Sequence, residues 1–200
     1  MMQKVKWITI LVVWLTAGNL LAQASPQVVD TRAVALLDAQ PEKRVLQSLL
    51  RIAEREIIPA VEAMPADRFG FAPTDGEFKG VRTFGQMVKH LSATNYIPAA
   101  AALGEQPPAD AGDELGPETV RTKAEILNYL NGSFTQLYRA TEAIGPTAPS
   151  VNASPISPLK QDEVTRSALI VESLMHAYDH YGQMVEYLRM NGVVPPASRP

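Results

Sequence analysis

Apolar residues recur at three- and four-residue intervals in four separate stretches of the chain, with long polar stretches rich in Pro and Gly between them. That spacing gathers apolar side chains on one face of an α-helix. In the first stretch, roughly 41–63, Val45, Leu46, Leu49, Leu50, Ala53, Ile57 and Val61 follow it. Pro41 suits a first helical turn, whereas Pro59 deletes a backbone donor and predicts a kink or an early end. The second, roughly 84–103, carries Phe84, Met87, Val88, Leu91 and Ile97. Thr83 and Gln86 have capping-box spacing ahead of it, and Gly104 is the expected stop. The third, roughly 123–144, opens on a second such box, Thr122 and Glu125, and should stop at Gly145-Pro146. The fourth, roughly 163–190, is expected to open at Asp162-Glu163, whose charges suit a helix start, and to stop at Asn191-Gly192. No alternating run is long enough to argue for a sheet, and no internal repeat is present.

Four helices of about 20 residues, each near 30 Å long, predict an all-α four-helix bundle. Of the connections, 64–81 contains Phe69, Phe71 and Phe78, expected to pack on the core as a lid. Residues 104–118 read as an exposed connection, 146–160 as a long loop, and 193–200 as an extended tail.

The length, 200 residues, suits one such domain. Residues 1–24 have the form of a secretory signal peptide: Lys4 and Lys6, an apolar run from Trp7 to Leu21, then Ala22-Gln23-Ala24. The apolar run is short of the roughly 20 residues that span a bilayer. The expectation is cleavage near Ala24, a flexible lead-in over 25–40, a bundle over 41–192, and no stable membrane insertion once the signal is removed. The mature protein would be periplasmic or secreted. Losing the leader removes two lysines and no acid, taking the formal charge from −3 to −5. An acidic balance argues against a nucleic-acid partner, which needs a basic face. There is no cysteine, so neither a disulfide nor a thiol-linked lipid is available, and stability must come from the core, helped or not by a metal.

The chemistry is concentrated in three histidines. His176 and His180 are four residues apart and therefore share a face of the fourth helix. Two imidazoles so placed can reach one cation, and His90 on the second helix would make a third ligand, leaving open coordination positions. The bland alternative is that each is an ordinary core or surface histidine. Ser173, His176, His180, Gln183 and Tyr187 form a polar stripe on an otherwise apolar helix, and such a stripe is costly to bury unless its groups are satisfied. Gln183 would support a histidine, Gly182 would admit a neighbouring backbone, and Asp179 points aside as a surface or inter-helix partner. Tyr178, Tyr181 and Tyr187 read as packing residues. The zinc-protease pattern fails because Ala177 follows His176 where Glu is required. No nucleophile elbow and no Gly-rich phosphate loop is present.

The stretches Thr83-Phe84-Gly85-Gln86-Met87-Val88-Lys89-His90-Leu91 and His176-Ala177-Tyr178-Asp179-His180-Tyr181-Gly182-Gln183 resemble the DinB-like superfamily, over about 41–192. The resemblance implies an up-down-down-up four-helix bundle and a divalent metal, zinc or nickel, held by His90, His176 and His180. It also implies homodimers. Characterised relatives are thiol-dependent transferases and isomerases and some metal-dependent hydrolases, and the family name carries no implication of DNA binding. The function it implies is a metal-dependent hydrolase or thiol-type transferase acting on a small molecule, with the catalytic residues unassigned. The other reading is a non-catalytic metal-binding or structural bundle. Thiol-using relatives are cytosolic, which this export signal does not match.

Overall fold

The computed structural model describes residues 40–199 except 109, 110, 112, 113 and 148. The expected leader, 1–24, and all of the lead-in but its last residue lie outside the described residues. Four α-helices dominate: α1 Pro41–Ala63, α2 Phe84–Leu103, α3 Lys123–Glu142 and α4 Arg166–Met190. Short 3-10 turns occupy Ala66–Arg68, Gln161–Glu163 and Pro196–Ser198. Among the described residues there is no strand, only an isolated antiparallel bridge between Ser150 and Thr165. No helix among them is long and apolar enough to cross a membrane.

Local chemistry sets most of the boundaries. Thr83 with Gln86, and Thr122 with Glu125, form complete capping boxes, each satisfying two otherwise orphaned N–H groups. Gly104 ends α2 in the left-handed conformation, with φ of 71°. One expected break does not occur, and two boundaries differ from expectation. α1 continues through Pro59 to Ala63, since Ala60 and Val61 on its last turns are fully buried and their packing outweighs one missing backbone bond. α3 stops at Glu142, before Gly145-Pro146. α4 opens not at Asp162-Glu163 but at Thr165, whose side chain accepts from Ala168 N–H. Val164 is held extended there, its carbonyl accepting from Val151 N–H at 3.0 Å. The tail carries a 3-10 turn, Pro196–Ser198, that packs on α1.

Long-range contacts give the helix directions. Lys123, opening α3, donates to the carbonyls of Glu62 and Met64 at the end of α1, and Lys43 at the other end of α1 pairs with Glu142 at 2.6 Å. α1 and α3 are therefore antiparallel. Arg166 at the start of α4 donates to Ala102 O at the end of α2, while Tyr187 near the end of α4 donates to Arg82 O just before α2. α2 and α4 are therefore antiparallel too. α2 packs on both α3 and α4, and α1 closes the other side on the same two helices. The core between them is built on Leu50, Ile57, Phe84, Leu91, Phe134 and Leu169, each contributing roughly 1.5–3 kcal/mol by burial. In the 64–81 loop, Phe69 packs edge-on against Phe84 and Phe71 edge-on against Tyr187, but Phe78 is exposed. Val45 and Leu49 of α1, expected inside, are also exposed.

Candidate metal centre

α2 lies against two helices at once and buries almost every face, including His90, Ser92, Thr94 and Asn95. A buried polar side chain must find partners. Ser92 and Thr94 bond back to carbonyls one turn earlier, and Asn95 donates to Ser133 Oγ on α3. His90 faces α4, where it meets His176 and His180. Ring centroids are 5.0 Å from His90 to each and 4.5 Å between the α4 pair. One nitrogen from each ring lies within 4.8 Å of the others. Among the described residues this is the group of histidine or acidic side chains close enough to share an ion.

The outward-facing nitrogens fix the tautomers. His90 Nδ1 is 2.7 Å from the Glu114 carbonyl, which can only accept. His180 Nδ1 is 3.2 Å from Gln183 Oε1, and the Gln183 amide is oriented by donating its own N–H to Asp179 Oδ2. His176 Nδ1 is 3.0 Å from Thr94 Oγ1, whose hydroxyl proton is directed to the carbonyls of His90 and Leu91. Each Nδ1 therefore carries a proton, and each Nε2 presents a bare lone pair. His176 Nε2 and His180 Nε2 are 3.1 Å apart. With both protons placed on Nδ1, that approach is two acceptors facing each other and calls for a cation. Two nitrogens about 2.05 Å from one ion and about 3.1 Å apart subtend roughly 100°, within the range of zinc or six-coordinate sites. The donor set fits a divalent metal.

Charge points the same way. Burial, with the Arg82 charge and the neighbouring histidines adding to it, lowers His90 and His176 from 6.5 to about 4, and burial lowers His180 as well. All three are neutral near pH 7, the form that ligates. The Glu114 carboxylate, 4.0 Å from His90 Nδ1, thus faces a neutral ring rather than an ion-pair partner.

A family model described as the DinB superfamily matches residues 49–184. The chain belongs to the DinB superfamily. No curated protein matches it. The matched span of this DinB chain includes all three histidines.

The structure brings His90, His176 and His180 together, with Gln183 in the supporting position the sequence suggested. Asp179, exposed, supports Gln183 rather than the ion. Gly182 does not admit a backbone: nothing lies within 4 Å of where its Cβ would stand. Ser173 is buried but bonds the Leu169 carbonyl. Tyr187 is buried with its hydroxyl on Arg82 O, whereas Tyr178 is exposed. Three contributors were not foreseen. Thr94 stands one turn after His90, a spacing visible in the sequence. Glu114 acts through its carbonyl, in a left-handed conformation with φ of 68° that no residue pattern announces. Arg82, ahead of a helix cap, carries no motif. Two cavities flank the cluster. One, about 480 Å³ and mostly apolar, is walled by Thr94, Glu114 and His176 together with Pro98, Leu159 and Val171. The other, about 320 Å³, is walled by Arg82, His180, Gln183 and Tyr187 with Phe78 above.

Proposed function

We propose that this DinB protein is an exported metal-dependent enzyme, a hydrolase or thiol-type transferase, acting on a small molecule at a divalent ion held by His90, His176 and His180. The observation that supports the ion is the convergence of the three rings, with the Nε2 atoms of His176 and His180 3.1 Å apart, one His90 nitrogen within 4.8 Å of the pair, and each Nδ1 held by an acceptor. Zinc or nickel suits an imidazole set. A closed structural site would use a fourth protein ligand; among the described residues the cluster offers three, the number found in open sites. Bound there, the ion supplies Lewis-acid activation for hydrolysis or for thiol transfer. The chain itself contributes room for a substrate on either side of the cluster, a mostly apolar wall on one side, and neutral ligands in fixed orientation.

Export rests on the pattern of residues 1–24 alone. The helix directions support the up-down-down-up order that the resemblance implies. A homodimer is supported by the exposed stripes Val45, Leu49 and Ile52 on α1 and Val171, Met175 and Tyr178 on α4.

The test is elemental analysis of protein purified without a polyhistidine tag. Wild type should carry about one ion per chain and a His176→Ala/His180→Ala variant almost none. Equal, negligible metal in both sinks the proposal. A metal-loaded protein that is stabilised yet turns over neither esters nor thiol–electrophile pairs would leave the structural reading in its place.

A further inference from the structure

We infer that Arg82 forms an anion subsite beside the three histidines, so that the substrate of this centre carries a carboxylate or a phosphate next to its reacting group. The inference rests on the metal reading above and adds to it the class of substrate. Arg82 and His180 wall the same cavity of about 320 Å³. The arginine's backbone is pinned, since its carbonyl accepts from the buried Tyr187 hydroxyl at 3.2 Å. Its side chain, by contrast, is unspent. Nε is buried with no hydrogen-bond partner, and no carboxylate among the described residues pairs with the guanidinium. Other arginines of the bundle are engaged: Arg139 with Glu105, Arg189 with Glu186, Arg166 with the Ala102 carbonyl.

A half-buried guanidinium left without an acceptor is costly, and its cost is recovered when an oxyanion arrives. Nε–H and a neighbouring Nη–H form a planar fork that matches two oxygens of one carboxylate or phosphate. The site beside it favours the same sign. Three neutral imidazoles around a divalent cation bring no negative charge, so the cation and Arg82 together present a strongly positive pocket. The remaining walls, Phe78, Val81, Met87 and Tyr187, carry no acid to compete. The mouth would thus take the charged end of a small molecule, while an uncharged or cationic one would leave Arg82 unmatched.

The experiment uses the full mature chain loaded with cobalt(II), whose visible spectrum reports on ligands near the ion, titrated with inorganic phosphate and with acetate. Wild type should show a saturable spectral change with at least one of the two. The better binder tells tetrahedral from planar oxyanion. Arg82→Gln and Arg82→Met should take up cobalt as wild type does but bind the anion roughly tenfold to a hundredfold more weakly, and Arg82→Lys should fall between. Should either neutral variant fail to fold, the other and the lysine variant carry the comparison. Cobalt uptake without any anion response in wild type, or equal anion affinity in wild type and the neutral variants, overturns the subsite and leaves the metal reading standing. Absence of cobalt uptake in wild type overturns the metal reading, and the subsite with it.

Discussion

At the scale of single residues, what makes this centre is less the histidines than the three acceptors behind them. An imidazole whose Nδ1–H is held can offer only Nε2 inward, so the acceptor decides which nitrogen the ion meets. Of the three acceptors, the Glu114 carbonyl is beyond reach of a side-chain change, but Gln183 is exposed and separable. Gln183→Leu should leave the fold intact and weaken metal binding about tenfold to a hundredfold, read by competition against a chromophoric chelator. Unchanged affinity would mean that the amide does not orient His180. The same burial sets the pH behaviour of the metal-free protein. His90 and His176 titrate near 4 in the folded chain against 6.5 when unfolded, so the folded state takes up fewer protons as acid is added. Stability from these groups is therefore complete above about pH 6.5 and is lost as pH falls towards 4. Urea midpoints of chelator-treated protein should drop between pH 7 and pH 5, and drop less in His176→Gln/His180→Gln. A midpoint that does not move in wild type would show the rings are not buried.

At the scale of elements, local chemistry was readable and distant chemistry was not. The four helices, both capping boxes and the glycine that ends α2 depend on residues within one turn of each other, and each is visible in the sequence. The start of α4 is not, because it depends on an extended Val164 bonded to Val151 across a loop. Nor is the exposure of Val45 and Leu49, since periodicity shows that a helix has an apolar face and not how wide a face its neighbours cover. Two of the three clustered histidines were suggested by spacing on one helix and His90 by its place in a second helical pattern and by the family resemblance, whereas the Glu114 carbonyl meets them only through packing. Glycines illustrate the same limit. Gly182 looked like a contact point and is open, while Gly132 on α3 is where the Tyr96 hydroxyl of α2 sits, so that a Cβ would collide with it. Helix propensity alone says that Gly132→Ala should stabilise by about 1 kcal/mol. Tyr96, however, is stacked on Tyr129 with centroids 5.0 Å apart, and moving it breaks that stack. Overpacking of this kind costs about 1–3 kcal/mol, so a net loss is expected, measured as a lower urea midpoint. A higher midpoint would mean that Tyr96 moves aside at no cost.

At the scale of the whole molecule, the ion would be a cross-link that the chain otherwise lacks. There is no cysteine to tie the helices covalently, and the histidines belong to α2 and α4, two antiparallel rods whose remaining contacts are ordinary packing. An ion that binds the folded state and not the unfolded one adds about 4 kcal/mol when free metal stands about a thousandfold above its dissociation constant. For a domain of this size each kcal/mol is worth about 2–4 °C, so chelation should lower the midpoint of thermal unfolding by about 10 °C. It should not unfold the protein. The core from Leu50 to Leu169 is closed without the ion, unlike a zinc finger, whose few apolar residues cannot hold it alone. The expected result is a cooperative melt with and without chelator, the same helical circular dichroism at 25 °C, and a lower midpoint only in wild type. His176→Ala/His180→Ala should melt at one temperature in both conditions. Loss of helicity on chelation would show that the packing is not self-sufficient, and identical wild-type melts would show that no ion bridges α2 and α4.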